Sequence, residues 1–192
     1  TGYDEKNCPY SLSNIYLMDA DGGQKRLLGT GLSDSPSNMA WAPDGSGVYY
    51  LVNERGESNL YFLAMDGKAK KITTGVQYLS GLSIAKNGQV ASVCSTFKKP
   101  GCLVTFNLAN PSNSKELVDV NDDVLADVKL GEVEELRFKS FDGLDLHAWL
   151  VKPAEFEQGK KYPLVLYIHG GPWAMYSVRF SWEWQNFAAN GY

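Results

Sequence analysis

Short apolar stretches alternate with turn residues along the first two thirds of the chain, and this pattern repeats. Residues 13–17 (SNIYL) correspond to residues 58–62 (SNLYF), and an Asp-Gly pair and then basic residues follow each copy. Asn14 and Asn59, at equivalent places, lie 45 residues apart. The other matched blocks are residues 39–45 with 82–88, and a third copy that begins at residue 102. Asp-Gly and Asn-Gly pairs between apolar stretches predict β-hairpins.

A period of this length, divided into about four short strands, is typical of one blade of a β-propeller. Such a blade is apolar on both faces, so it needs a neighbouring blade on each side to bury them. We expect about two and a half blades in residues 1–125, with Trp41 packed between blades and Pro43-Asp44-Gly45 forming a turn. A small β-sandwich built of hairpins is the alternative, which the matched turns at a fixed period disfavour.

The repeats stop near residue 120, and the chain then becomes acidic. Residues 121–132 predict a short helical or irregular connector, of which residues 126–132 form a linker between two domains. Beyond it, residues 135–139 and 146–151 alternate in hydrophobicity on either side of an Asp-Gly pair. This arrangement predicts an antiparallel hairpin at the start of a second domain, residues 133–192.

The second domain continues with a pattern of another kind. Residues 162–168 are a continuous apolar run, which predicts a strand buried on both faces, as in the sheet of an α/β protein. After a loop, residues 178–190 show helical spacing, with Phe180, Trp184, Phe187 and Ala188 on one face. Asn190-Gly191 then predicts the end of the helix.

Composition and charge narrow the classes of function. The net charge is −4 with both signs interspersed, which argues against a nucleic-acid partner or an anionic membrane surface. The longest apolar run is far too short to span a bilayer. The chain has two histidines and no Cys-x-x-Cys spacing, so no metal site is expected, and His147 is interpreted as a surface or packed residue.

Three cysteines, Cys8, Cys94 and Cys102, give an odd number. A disulfide between Cys94 and Cys102 is conceivable, but we expect that a tight hairpin does not place them opposite each other. Three free and mostly buried thiols are therefore the preferred interpretation.

The chemistry-bearing motif is His169-Gly170-Gly171-Pro172, directly after the apolar run. Glycine allows the backbone to approach a substrate, and rigid backbone N–H groups can stabilise the oxyanion of acyl transfer. A strand followed by such a turn and then a helix is the oxyanion-hole arrangement of α/β-hydrolases. A plain tight turn is the alternative.

From residue 133 onward the chain resembles the prolyl oligopeptidase family of serine peptidases, in its acylaminoacyl-peptidase and dipeptidyl-peptidase branch. The resemblance is carried by residues 138–143 (FKSFDG), 148–153 (AWLVKP), 160–172 (KKYPLVLYIHGGP) and 187–192 (FAANGY). It implies a β-propeller (C-terminal blades only) followed by the N-terminal part of an α/β-hydrolase domain. It also implies that Gly171 donates an oxyanion N–H, that Gly170 and Pro172 shape the turn, and that His169 is structural rather than the triad base.

No Gly-x-Ser-x-Gly elbow occurs, since the nearest match, residues 81–85, belongs to the propeller repeat. The resemblance places the catalytic Ser, Asp and His downstream, so we expect the 192 residues alone to be inactive. An incomplete propeller leaves a blade face bare and an incomplete sheet leaves a strand edge open, so we also expect the 192 residues alone to aggregate. It implies short peptide substrates, no cofactor and a possible homo-oligomer, and it leaves the compartment unknown. The alternatives are a non-catalytic propeller interaction module with a hydrolase-like appendage, and an esterase or lipase of the same fold.

Overall fold

A computed structural model describes residues 12–29, 34–171 and 174–192, and most of the regular structure is antiparallel β-sheet. The chain divides into two units. The first unit comprises Thr1–Val120 and His169–Arg179, and the second comprises Asn121–Ile168 and Phe180–Tyr192. Among the described residues, no helix combines the length and the apolar character needed to cross a membrane.

Among the residues that the structure describes, the first unit contains ten strands. They are β1 (Ile15–Leu17), β2 (Arg26–Gly29), β3 (Ser37–Trp41), β4 (Gly47–Glu54), β5 (Glu57–Ala64), β6 (Ala69–Lys71), β7 (Tyr78–Ile84), β8 (Gln89–Thr96), β9 (Lys99–Asn107) and β10 (Asn110–Asp119). The strands β1 to β4 and β5 to β8 follow the two copies of the repeat, and β9 begins the third. The strand content of the repeat is therefore confirmed.

The strand that begins each sheet is not the strand that begins each copy of the sequence repeat. The strands β3 to β6 make one antiparallel meander, β7 to β10 make a second, and β1 pairs with β2 in a separate two-stranded sheet among the described residues. A single parallel pairing, Ser58 with Tyr78, connects β5 to β7. Each complete meander therefore begins at the third strand of the sequence repeat.

The meander β3 to β6 is apolar on both faces, as expected for a sheet that lies between neighbours. One face carries Val48, Tyr50 and Leu63, which pack with Ile15 and Leu28 of the β1–β2 pair. The other face packs in a second cluster, whose members are Leu51, Leu60, Leu79, Val90, Cys102, Val104 and Phe106. Because both faces are covered, the side chains of Tyr50 and Leu60 are fully buried.

One turn geometry recurs at the Asx-Gly pairs. At Asp44-Gly45, the Gly45 N–H donates to the Ala42 carbonyl (2.9 Å), and the Ser46 N–H donates to the Asp44 carboxylate (3.0 Å). Gly45 has a φ of +73°, a conformation that costs glycine little. The same pair of bonds occurs at the other Asx-Gly turns, 21–22, 66–67, 87–88 and 142–143. The predicted turns are confirmed.

Two expectations about side chains in this unit are wrong. The Trp41 side chain is 59% exposed, because it lies at the end of the edge strand β3 rather than between packed sheets. Cys94 and Cys102 do lie opposite each other in the β8–β9 ladder, because a bulge between Cys94 and Thr96 shifts the register. Both thiols are free, as preferred, whereas Cys8 lies outside the described residues.

The second unit contains helix α1 (Asp122–Leu125), the hairpin of β11 (Val133–Lys139) and β12 (Asp145–Val151), and helix α2 (Trp182–Ala189). The predicted hairpin is confirmed. Helix α2 starts later than predicted, because the Ser181 hydroxyl caps it by accepting from the Trp184 N–H. Its end is as predicted: Gly191 has a φ of +84°, and the Tyr192 N–H donates to the Phe187 carbonyl.

A buried polar contact connects helix α2 to the chain before β11. The Gln185 side chain accepts from the Gly131 N–H (2.7 Å) and donates to the Gly131 carbonyl (3.2 Å). A Cβ at Gly131 would lie 2.3 Å from the Lys152 carbonyl oxygen and 2.6 Å from the Ala188 Cβ. The absence of a side chain at residue 131 thus permits close packing of the helix.

The strand predicted at residues 162–168 is absent from this structure. Leu164 is 80% exposed and Ile168 is 75% exposed, and no strand pairs with this segment among the described residues. A β-strand exists only when another strand supplies hydrogen bonds, so apolar character alone does not produce one. The prediction of a doubly buried strand is wrong for the chain as it stands.

Candidate functional site

The turn formed by His169, Gly170 and Gly171 is exposed, and glycine is required at its end. Gly171 has a φ of +147°, a conformation that residues with a Cβ rarely adopt. A Cβ added at Gly170 would meet nothing within 4 Å. The backbone at Gly170 therefore borders open space. Pro172 lies outside the described residues.

His169 makes contacts on both sides of this turn. Its Nδ1 lies 2.8 Å from the Gly170 carbonyl oxygen, and because a carbonyl only accepts, Nδ1 carries the hydrogen in this contact. Its ring meets the Tyr176 ring edge-on, with centroids 5.7 Å apart. The His169 ring thus contacts both the backbone of the turn and the Tyr176 side chain.

The chain after the turn is anchored to the sheet of the first unit. The Val178 N–H donates to the Gly56 carbonyl (2.9 Å), and the Val178 residue is 1% exposed. The Arg179 guanidinium lies 5.0 Å from the centroid of the Tyr78 ring, within the range of a cation–π contact. Gly56, in the turn before β5, and Tyr78, at the start of β7, lie in the same region of the sheet, as the pairing of Ser58 with Tyr78 shows.

Gly56 belongs to a two-residue turn between β4 and β5. Arg55 has a φ of +54° and Gly56 a φ of +86°, which fits a hairpin turn that favours Asn-Gly over Arg-Gly. Below the turn, the Glu54 carboxylate accepts from the Tyr61 hydroxyl (2.9 Å) and from the Lys71 ammonium (3.2 Å). These two bonds, that of Tyr61 foremost, lower the pKa of Glu54. The end of β4 that enters the turn is thus tied to both β5 and β6.

One group of carboxylates has a spacing that could suit a metal ion. Single oxygens of Glu116 and Asp119, both in the first unit, lie within 4.8 Å of each other. The Lys99 ammonium already lies 2.6 Å from Glu116 and 3.2 Å from Asp119. Its hydrogen bond to Glu116 is the main favourable cause of the raised pKa of Lys99. A lysine ammonium among these oxygens makes the group an ion-pair cluster, with no argument for a metal.

The structure also places two other residues that the sequence singled out, and it shows two contacts that the sequence did not predict. Ser83 of the near-match to an elbow lies in strand β7, as the repeat predicted. His147 lies in β12 against the Trp149 ring, with centroids 4.6 Å apart, and so is a packed residue. Sequence reasoning missed the contacts of Val178 and Gln185. The Arg-Gly pair between two strands was a local signal for a hairpin tip, but nothing local indicated its partner.

The chain is similar to known peptidases in both sequence and structure. It is 30% identical over 188 residues to the uncharacterized peptidase YuxL of Bacillus subtilis, covering 96% of this chain and 27% of the relative. It is 27% identical to dipeptidyl-peptidase 5 of Porphyromonas gingivalis, covering 90% of this chain and 25% of the relative. The acylaminoacyl peptidase structure from Pyrococcus horikoshii matches with a TM-score of 0.70 and 30% identity, over 93% of this chain and 27% of that one.

These relatives define the class: the chain is homologous to part of a peptidase, and it spans about a quarter of the length of the relatives that it matches. No family model matches the chain. The resemblance to acylaminoacyl peptidases and dipeptidyl peptidases drawn from the motifs is nevertheless confirmed, since relatives of both kinds match over 90% or more of this chain.

Proposed function

We propose that the chain is part of a serine peptidase of the prolyl oligopeptidase family, which cleaves short peptides through an acyl-enzyme. In the proposal, the Gly171 N–H, with Gly170 beside it, stabilises the oxyanion, and His169 and Pro172 shape the turn. The nucleophilic Ser and its Asp and His partners belong to the parent protein and follow these residues. The observation that carries the proposal is an exposed turn with a glycine-only φ at Gly171, in a chain whose relatives are peptidases.

The chemistry of acyl transfer explains why such a turn would be useful. The carbonyl oxygen of the scissile bond gains negative charge in the transition state, and a fixed N–H group stabilises that charge more than it stabilises the substrate. Removing one such donor costs about 3 to 4 kcal/mol, or roughly 100- to 1,000-fold in rate. The open space beside Gly170 supports this role, because the reacting carbonyl must reach the backbone without meeting a side chain.

We further propose that residues 1–125 are the last blades of a propeller, that residues 126–132 are a linker, and that residues 133–192 begin an α/β-hydrolase domain. The two four-stranded meanders and the two-sided core of the first one support the propeller. The apolar residues 162–168 would then become a sheet strand once parallel neighbours from the parent chain pair with them. A propeller beside the site would restrict access and favour short or unstructured peptides.

The test is the intact denatured mass after incubation with a fluorophosphonate, which reacts with activated serines. We expect one adduct on the full-length parent and none on the 192-residue chain. A parent that folds but takes up no probe would refute the serine mechanism and favour a non-catalytic module. An adduct on the 192-residue chain would refute the proposal that the nucleophile lies outside it.

A further inference from the structure

We propose that the tip of the β4–β5 hairpin and the start of β7 form a tether that positions the Gly170-Gly171 turn for catalysis, with Tyr78 and Arg179 as positioning residues. The inference rests on the proposed function, because it assigns a task to contacts of the same turn. The tether consists of the Gly56 carbonyl with the Val178 N–H, and of the Tyr78 ring with the Arg179 guanidinium.

The turn needs such a tether because of its composition. Two successive glycines lose more conformational entropy on ordering than other residues, so a Gly-Gly backbone does not hold one geometry by itself. An oxyanion donor contributes to the rate only when it is held in position before the reaction. The ordering must therefore come from residues that flank the turn.

The flank that is anchored in this structure is the downstream one. On the upstream side, Ile168 is 75% exposed, and His169 and Gly170 are exposed as well. On the downstream side, Val178 is 1% exposed and its N–H is bonded to Gly56. The position of residues 178–179 is thus fixed by the sheet of the first unit.

Contacts between rings connect that anchor back to the turn. Tyr176, two residues before Val178, meets the His169 ring at 5.7 Å, and His169 in turn contacts the Gly170 carbonyl. A shift of the anchor would therefore move His169 and, through it, the peptide that joins Gly170 to Gly171. The hairpin tip acts on the reaction through this chain of contacts and does not touch the substrate.

The experiment uses the full-length parent with the substitutions Arg179→Met and Tyr78→Leu, singly and together, and a short chromogenic peptide as substrate. An exposed cation–π contact predicts that each single change lowers kcat by about two- to fivefold. KM and the thermal unfolding midpoint should stay unchanged, because ground-state binding and the core are not altered. The double variant should be no worse than either single one, and Arg179→Lys should restore part of kcat.

A matched control exists in the first unit, where the Lys25 ammonium lies 4.5 Å from the Tyr16 ring centroid. Lys25→Met removes a contact of the same kind from the β1–β2 hairpin and should leave kcat unchanged. Unchanged kcat in Arg179→Met and Tyr78→Leu would overturn the proposal. So would multiplicative losses in the double variant, or losses of kcat matched by lower unfolding midpoints.

The failure of the tether and the failure of the proposed function give different results. A wild-type parent that takes up no fluorophosphonate contradicts the proposed function. The rate of hydrogen exchange at the Val178 amide then tests the tether without requiring any catalytic activity. Exchange about two- to fivefold faster in Arg179→Met than in Lys25→Met would support it, and equal exchange would overturn it.

Discussion

The contact between Gln185 and Gly131 gives the most direct test of how the second unit is held together. Gln185→Met keeps the length and apolar bulk of the side chain but removes both hydrogen bonds. The Gly131 N–H and carbonyl are then left in a buried place without partners. A buried polar group that loses its partner costs about 1 to 3 kcal/mol, so two such groups predict a loss of about 2 to 4 kcal/mol when partial relaxation is allowed.

The assay is hydrogen exchange at the Gly131 amide in the full-length protein that carries these residues, together with urea unfolding followed by tryptophan fluorescence. A loss of 2 to 4 kcal/mol corresponds to about 30- to 1,000-fold faster exchange through local opening. Gly131→Ala should also destabilise the unit, because its Cβ would overlap the Lys152 carbonyl and the Ala188 Cβ. The two changes affect one contact, so their effects should not add.

Gln185→Glu supplies the matched control, since a protonated carboxyl can both accept from the Gly131 N–H and donate to its carbonyl. Burial disfavours the charged form and so raises the pKa of the new carboxyl in the folded state. With a raised folded pKa, stability is present at low pH and is lost as pH rises through that pKa. Gln185→Met should show no such rise in stability on acidification. Wild-type exchange rates and urea midpoint in Gln185→Met would refute the reasoning.

Three further predictions concern the turn, the thiols and the isolated chain. Gly171→Ala in the parent should lower kcat by roughly 100-fold or more without unfolding the protein, because the new Cβ disfavours the φ of +147° and displaces the oxyanion donor. Steady-state kinetics would test this prediction, and a wild-type kcat would contradict it. Burial raises the pKa of Cys94 and raises the pKa of Cys102 to about 11. Alkylation of these two thiols in the native protein should therefore be slow at pH 8 and accelerate toward pH 11. Equal alkylation rates in native and urea-unfolded protein would contradict this prediction. The 192-residue chain alone should aggregate, because residues such as Leu164, Leu166 and Ile168 are 75–80% exposed. Light scattering after size-exclusion chromatography would test this prediction, and a stable monomer would refute it.

Features that depend on neighbouring residues were predictable from the sequence. An Asp-Gly pair fixes its own turn, since the glycine adopts a positive φ and the carboxylate accepts from the residue beyond it, as at Asp44-Gly45. In these cases the side chains that determine the conformation lie within a few residues of it.

Features that depend on distant partners were not predictable. Cys94 faces Cys102 because of a bulge, which no pattern of apolar residues specifies. The run at residues 162–168 has the composition of a buried strand, but pairing requires another strand. Gln185 meets Gly131 across 54 residues of chain, and Val178 meets Gly56 across more than a hundred. Such contacts follow from the fold and cannot be read before it.

The division of the chain has a consequence for synthesis on the ribosome. The first unit includes His169–Arg179, whose last residue is made 59 residues after Val120. At roughly 5 to 20 residues per second, the last strand of that unit waits about 3 to 12 seconds for the segment that bonds to Gly56. During this interval the hairpin tip at Gly56 lacks its partner and is accessible to a chaperone that binds nascent chains.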